Sequence, residues 1–229
     1  MESTKKLKRV WSEHAARRDF VLPKISEIKK LNDPIIKNLL KLKKNKKILD
    51  AGCGIGQYVS VARALGFKAS GLDISEEAVS IARKRKEKAI LGDMRKMPFR
   101  SNSYEIVIAG GSLEHFPETS KAVEEISRVL KPQGILLGNV PYRYALLYSL
   151  SRKIQQILGI WKAGYEKTFS KSEFSRILSD NGLHLEMIQL TKIAKGKRKI
   201  LSSLLRILDW PLYVLGLGGA HFYFLARKK

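Results

Sequence analysis

The stretch from Lys47 to Phe67, KILDAGCGIGQYVSVARALGF, constrains the fold more than any other part of the chain. A short apolar run ends in an acid, alternates through Gly52, Gly54 and Gly56, and restarts with helical spacing. That order predicts a strand, a tight turn and a helix, the repeating unit of a parallel α/β sheet. Backbone amides at such a helix N-terminus suit a polar ligand, and the glycines let the chain approach it closely. The spacing is G-x-G-x-G, not the G-x-G-x-x-G of dinucleotide-binding loops. Asp50, at the end of the strand, would repel a pyrophosphate but suits a ligand bearing a positive amino group.

The same alternation continues downstream. KASGLD, KAILGD, YEIVIAG and ILLGNV read as strands two to five. SEEAVSIARKRKEK reads as a helix with Ser75 as its N-cap, acids in its first turn and bases in its last. ETSKAVEEISRVLKPQG reads as a helix stopped by Pro132 and Gly134, and residues 171–182 as another. LHLEMIQL and AHFYFLARK supply strands six and seven, while helices are expected at about 3–20 and 24–44. The fold class is therefore α/β, a mostly parallel sheet with helices on both faces.

Acids follow successive strands. Asp73 ends the second, roughly 20 residues past the loop, where a carboxylate can accept both hydroxyls of a ribose. Asp93 follows the third, placed to receive an adenine amino group, with Met94 offering apolar contact to the ring. Each of these acids could singly be an N-cap or turn aspartate, but three at three successive strand ends point to a nucleoside-bearing ligand.

Together these residues resemble the class I S-adenosylmethionine-dependent methyltransferases, in particular the group that includes ubiquinone- and menaquinone-type methyltransferases. ILDAGCGIG resembles their first motif, GLDIS their ribose-binding acid, GDMRKMPF their adenine segment, and YEIVIAGGSLEHF their fourth motif. The resemblance implies a Rossmann-like seven-stranded sheet with an antiparallel last strand, and S-adenosyl-L-methionine as cofactor. It implies that Gly52, Cys53 and Gly54 surround the methionine part, with Asp50 and Gly56 in the same loop. It further implies Asp73 and Ile74 at the ribose, Asp93 and Met94 at adenine, and Gly110 and Gly111 along the cofactor. No metal is implied, and His14, His115, His184 and His221 lack ligand spacing. His115, in SLEHF, is the candidate catalytic residue; it either serves as general base for a hydroxyl acceptor or lines the cofactor pocket. Cys53 needs only to be small in its turn.

Domain organisation follows from charge and composition. The 229 residues carry a formal net charge of +23. Residues 1–47 hold 15 bases against 5 acids and residues 191–229 hold 9 against 1, so most of the excess lies at the two ends. The expected division is a basic helical segment at 1–45 and a methyltransferase domain at 46–229, with insertions at about 141–170 and 192–218. The first insertion contains Tyr142, Tyr144, Tyr148, Trp161 and Tyr165 among aliphatic residues and is expected to cover a small or lipid-like acceptor. The second passes from Lys195, Lys197, Arg198 and Lys199 into Leu201, Leu204, Leu205 and Leu208, the pattern of an amphipathic helix on an anionic membrane.

Internal packing and nucleic-acid contact are the alternatives for that segment, and an RNA methyltransferase is the rival function. A non-catalytic protein on the same fold is the other, although such a chain has no physical need for the glycines and acids. Trp11 with Arg17 and Arg18 is a candidate N-terminal lid. A single cysteine and no secretory signal make the cytoplasm the expected compartment, with peripheral membrane contact. The acceptor atom and oligomeric state have no signal in the sequence.

Overall fold

The computed structural model describes residues 2–16, 24–161, 164–191, 212, 215 and 218–229. The proposed membrane segment at 192–218 and the Arg17–Arg18 pair fall largely outside these residues.

The N-terminal part forms α1 (Glu2–Ala16), α2 (Ile25–Ile28) and α3 (Pro34–Lys41). The single helix expected at 24–44 is two, and Pro34 is the reason. A residue preceding proline is pushed out of the helical region. Asp33 accordingly has φ −97 and ψ 119, and its side chain caps α3 by accepting from the amides of Ile35 and Ile36.

The α/β unit follows as β1 (Lys47–Ala51), α4 (Gln57–Ala64), β2 (Lys68–Asp73), α5 (Glu76–Lys84), β3 (Ala89–Leu91), β4 (Tyr104–Gly110) and α6 (Thr119–Val129). It continues through β5 (Leu130–Pro141), α7 (Leu146–Ile157), α8 (Lys171–Asp180), β6 (Leu183–Thr191) and β7 (His221–Lys228). Ser75 caps α5 by accepting from the amide of Ala78. Helix α6 ends sooner than Pro132 and Gly134 suggest. Leu130 is already extended, at φ −68 and ψ 137, and pairs with Tyr104, so the chain passes directly into β5.

The strands form one seven-stranded sheet in the order β3-β2-β1-β4-β5-β7-β6. β7 enters antiparallel between β5 and β6, and the pairs among β1 to β5 are parallel. Strand residues alternate between two buried faces. Leu49, Val107, Leu136, Phe222 and Phe224 pack on one side with α6 and α8, where Ile126 and Phe174 are fully buried. Ile48, Ile106, Ile108, Leu137 and Tyr223 pack on the other, against Ile35 and Leu39 of α3 and Val59 of α4. Burial on both faces explains why the strands read as nearly continuous apolar runs. The order places the carboxyl ends of β1 and β4 side by side at the point where the connections reverse direction, the usual ligand crevice of such sheets.

Candidate active site

The loop after β1 folds over the end of β2. The amides of Gly52 and Cys53 donate to the carbonyl of Leu72 at 2.7 and 3.0 Å. The Gly54 amide donates to Asp73 Oδ2 at 2.7 Å, and the Ser75 amide to Oδ1 at 2.9 Å. Asp73 thus fixes the loop as well as facing the cavity.

Two glycines here are required by geometry. Gly56 caps α4 in the left-handed region, at φ 86. Gly52 has φ +83, and a Cβ built on it would lie 2.6 Å from Ser112 Cβ. Ser112, just beyond β4, is itself anchored by donating to the Ala51 carbonyl at 3.0 Å. Cys53 lies over the glycine of the neighbouring strand: a Cβ on Gly71 would fall 2.4 Å from its sulfur. The thiol is buried, and that burial, with the charges of Asp50 and Asp73, pushes its pKa well up, so it is not a nucleophile.

These elements frame a cavity of about 340 Å³. Gly52, Cys53, Gly54, Asp73 and Ile74 line its loop end. Met94, Gly110, Gly111 and His115 line it as well. Three expected residues are elsewhere. Asp50 is buried at the end of β1, with Oδ2 lacking a hydrogen-bond partner; burial and the nearby Asp73 push its pKa up to about 8. Gly56 packs against Ala82 and Glu87. Asp93 folds back on Arg95, which donates from Nη2 at 2.7 Å and from Nε at 3.1 Å. Partial burial raises the Asp93 pKa, but the Arg95 bonds outweigh it and hold the carboxyl below its ordinary value.

The cavity brings together residues from distant parts of the chain. Trp11, Glu114, Phe116, Glu166 and His221 line it beside His115. The Trp11 and His115 rings meet edge-on with centroids 4.6 Å apart. His115 Nδ1 lies 2.8 Å from the carbonyl of Tyr165, and a carbonyl only accepts, so Nδ1 carries a proton, while Nε2 lies 3.9 Å from Glu114 Oε1.

Glu114 is 2% exposed, its Oε2 has no hydrogen-bond partner, and burial pushes its pKa up to about 8. Glu166 accepts from Tyr148 Oη at 2.7 Å and from Arg152 Nη1 at 3.2 Å. His221 is held neutral chiefly by burial, which outweighs the nearby Glu166.

The aromatic lining includes Trp11, Tyr58 and Phe116, and the tyrosines of the 141–170 segment are not among the residues that line the cavity. Tyr142 is buried against Phe222 and Tyr144, while Tyr144 and Tyr165 are exposed. Ser112, Tyr58, Glu166 and His221 are cavity residues that sequence reasoning did not pick out. All four sit in segments already singled out: Tyr58 in the Lys47–Phe67 stretch, Ser112 in GGSLEHF, Glu166 in the 141–170 segment and His221 in the last strand.

Residues 49–138 match the methyltransferase domain family Methyltransf_11. Over these residues the chain carries a methyltransferase domain. Its sheet order and closing antiparallel strand agree with that domain. A solved S-adenosylmethionine-dependent methyltransferase of Methanosarcina mazei superposes with a TM-score of 0.63 at 19% identity, over 86% of this chain and 97% of that one. Among curated proteins, demethylmenaquinone methyltransferase of Staphylococcus aureus is 31% identical over 104 residues, 42% of this chain and 43% of the relative. Sterol 4-C-methyltransferase strm-1 of Caenorhabditis elegans is 33% identical over 129 residues, 50% of this chain and 38% of the relative. The chain thus spans less than half the length of these relatives.

The cofactor of a class I methyltransferase domain is S-adenosylmethionine, and the residues present fit it. Gly52 leaves open the space a side chain would fill, and Asp73 is held rigid at the cavity wall.

Proposed function

We propose that the protein transfers a methyl group from S-adenosylmethionine to a small or lipophilic acceptor. The observation that carries this reading is one cavity lined both by the glycine loop and by Trp11, Phe116 and His115. The menaquinone and sterol substrates named for the two curated relatives support an apolar acceptor. The cofactor supplies a methyl group already activated by its sulfonium, so the chain's task is largely positioning. Asp73 and the loop amides bind and orient the cofactor. Trp11 and Phe116 exclude water and present an apolar wall. When the acceptor loses a proton on methylation, His115 Nε2 takes it, with Nδ1 steadied by the Tyr165 carbonyl.

Two measurements test this. Titration calorimetry should show S-adenosylmethionine and S-adenosylhomocysteine binding, weakened by roughly 1.5–3 kcal/mol in Asp73→Ala, the range for hydrogen bonds to charged groups. Binding of NAD with no binding of either compound would defeat the assignment. Incubation of lipid extract, small-molecule extract and RNA with methyl-labelled cofactor should label a lipophilic compound; label confined to RNA would establish the rival reading. For the base, His115→Asn is expected to cost about a hundredfold in turnover and to remove the pH dependence near neutrality. A few-fold loss with an unchanged profile would reduce His115 to a lining residue.

A further inference from the structure

Helix α7 has two unlike faces. On one, Tyr148 and Arg152, one turn apart, hold Glu166 at 2.7 and 3.2 Å, and the Tyr148 ring stands 5.3 Å from that of His221. Glu166 and His221 both line the cavity. The opposite face carries Leu146, Leu150, Ile154 and Ile157, spaced as one helical stripe. These four are 50%, 56%, 48% and 84% exposed, and no residue of the helix is buried. Leu158 and Ile160 prolong the stripe, both more than half exposed. Single exposed leucines are ordinary, but a continuous apolar stripe on a helix that backs a binding cavity calls for a partner.

Charge decides which partner. From Arg143 to Trp161 the chain contains no acid, and exposed Lys153 borders the stripe. The whole chain carries +23, so a second copy would meet this face with the same sign of field, whereas an anionic leaflet meets it with the opposite sign. Tyr144 and Trp161 flank the helix, residue types that favour the membrane interface. No described helix is long and apolar enough to cross a membrane. We propose that α7 lies in the surface of an anionic bilayer, its leucine and isoleucine stripe among the acyl chains, and so holds the acceptor end of the cavity against the membrane. The purpose of this docking rests on the proposed lipophilic acceptor; the docking itself needs no cofactor.

Flotation with vesicles of equal phosphatidylglycerol and phosphatidylcholine tests it. The protein is expected to float with these vesicles at low salt, and less with phosphatidylcholine alone or at high salt. Leu150→Glu with Ile154→Glu should lower the partition coefficient about a hundredfold, on the order of tenfold for each apolar side chain withdrawn. Binding of S-adenosylhomocysteine should be unchanged in this variant, which shows that it folds. Ile157→Glu, at the most exposed position, should give a smaller loss in the same direction.

Undiminished flotation of both variants would overturn the proposal and transfer the membrane contact to the 192–218 segment, which the variants leave intact. A protein that ignores vesicles but passes from dimer to monomer in the double variant would overturn it in favour of self-association. Flotation as expected, with no cofactor binding by the unaltered protein, would defeat the proposed methyl transfer and leave the docking standing.

Discussion

Gly52→Ala is expected to weaken cofactor binding by about 3 kcal/mol or more, about a hundredfold in affinity. Two costs combine. The residue sits at φ +83, where any L side chain pays roughly 1–2 kcal/mol. The new Cβ would also meet Ser112 Cβ at 2.6 Å, and Ser112 cannot withdraw cheaply because it is 8% exposed and tied to the Ala51 carbonyl. Relief requires moving either the loop whose Gly54 amide engages Asp73 or the segment at Gly110–Ser112, and both line the cavity. Calorimetric titration with S-adenosylhomocysteine measures the loss. Adding Ser112→Gly removes the opposing Cβ but leaves the strained φ, so the double variant should recover part of the affinity. Unaltered binding by Gly52→Ala would show that the loop does not approach the ligand.

What could be read before the structure was local, and what could not was convergent. The glycines, Asp73 and Ser75 are set by a strand, a turn and a helix within a few dozen residues, and their spacing carries that information directly. The split of the second N-terminal helix was also written in the chain, since Asp33–Pro34 is a cap and a breaker together. The clasp on Asp93 is a local detail of another kind: Arg95, two residues on, folds back and donates to both of its oxygens, which its place after β3 does not announce. Glu166 and His221 reach the cavity only because β7 inserts beside β5 and α7 clamps Glu166 from behind. No periodicity announces such a meeting. The aromatic residues of the 141–170 segment divide for a related reason: a tyrosine serves equally well in the core, where Tyr142 is found, and behind the cavity, where Tyr148 packs on His221.

The two buried carboxyls give the second large effect, a stability that falls as pH rises. Asp50 and Glu114 are 1% and 2% exposed, and burial pushes both pKa values up to about 8, with Asp73 adding to the shift of Asp50. Their unfolded values lie near 4, so between about pH 4 and pH 8 the folded chain keeps two protons that the unfolded chain has released. Stability drops with pH wherever the folded state binds more protons. Each carboxyl should therefore withdraw on the order of 3 kcal/mol between pH 5 and pH 8. Carboxylates such as Glu125, which Arg128 holds below the ordinary range, act in the opposite sense: their contribution is present at neutral pH and is lost only as pH falls through their lowered values. Stability is accordingly expected to peak near pH 5. Urea unfolding at pH 5, 6.5 and 8 measures the slope. Glu114→Gln, which keeps the shape and the neutral charge, should remove about half of it, and Asp50→Asn with Glu114→Gln nearly all. A stability that stays level or rises from pH 5 to pH 8 would mean that neither carboxyl is held neutral in the fold. The same protonation bears on the site, because a neutral Glu114 leaves the acceptor end of the cavity uncharged on that side, a condition an apolar acceptor requires.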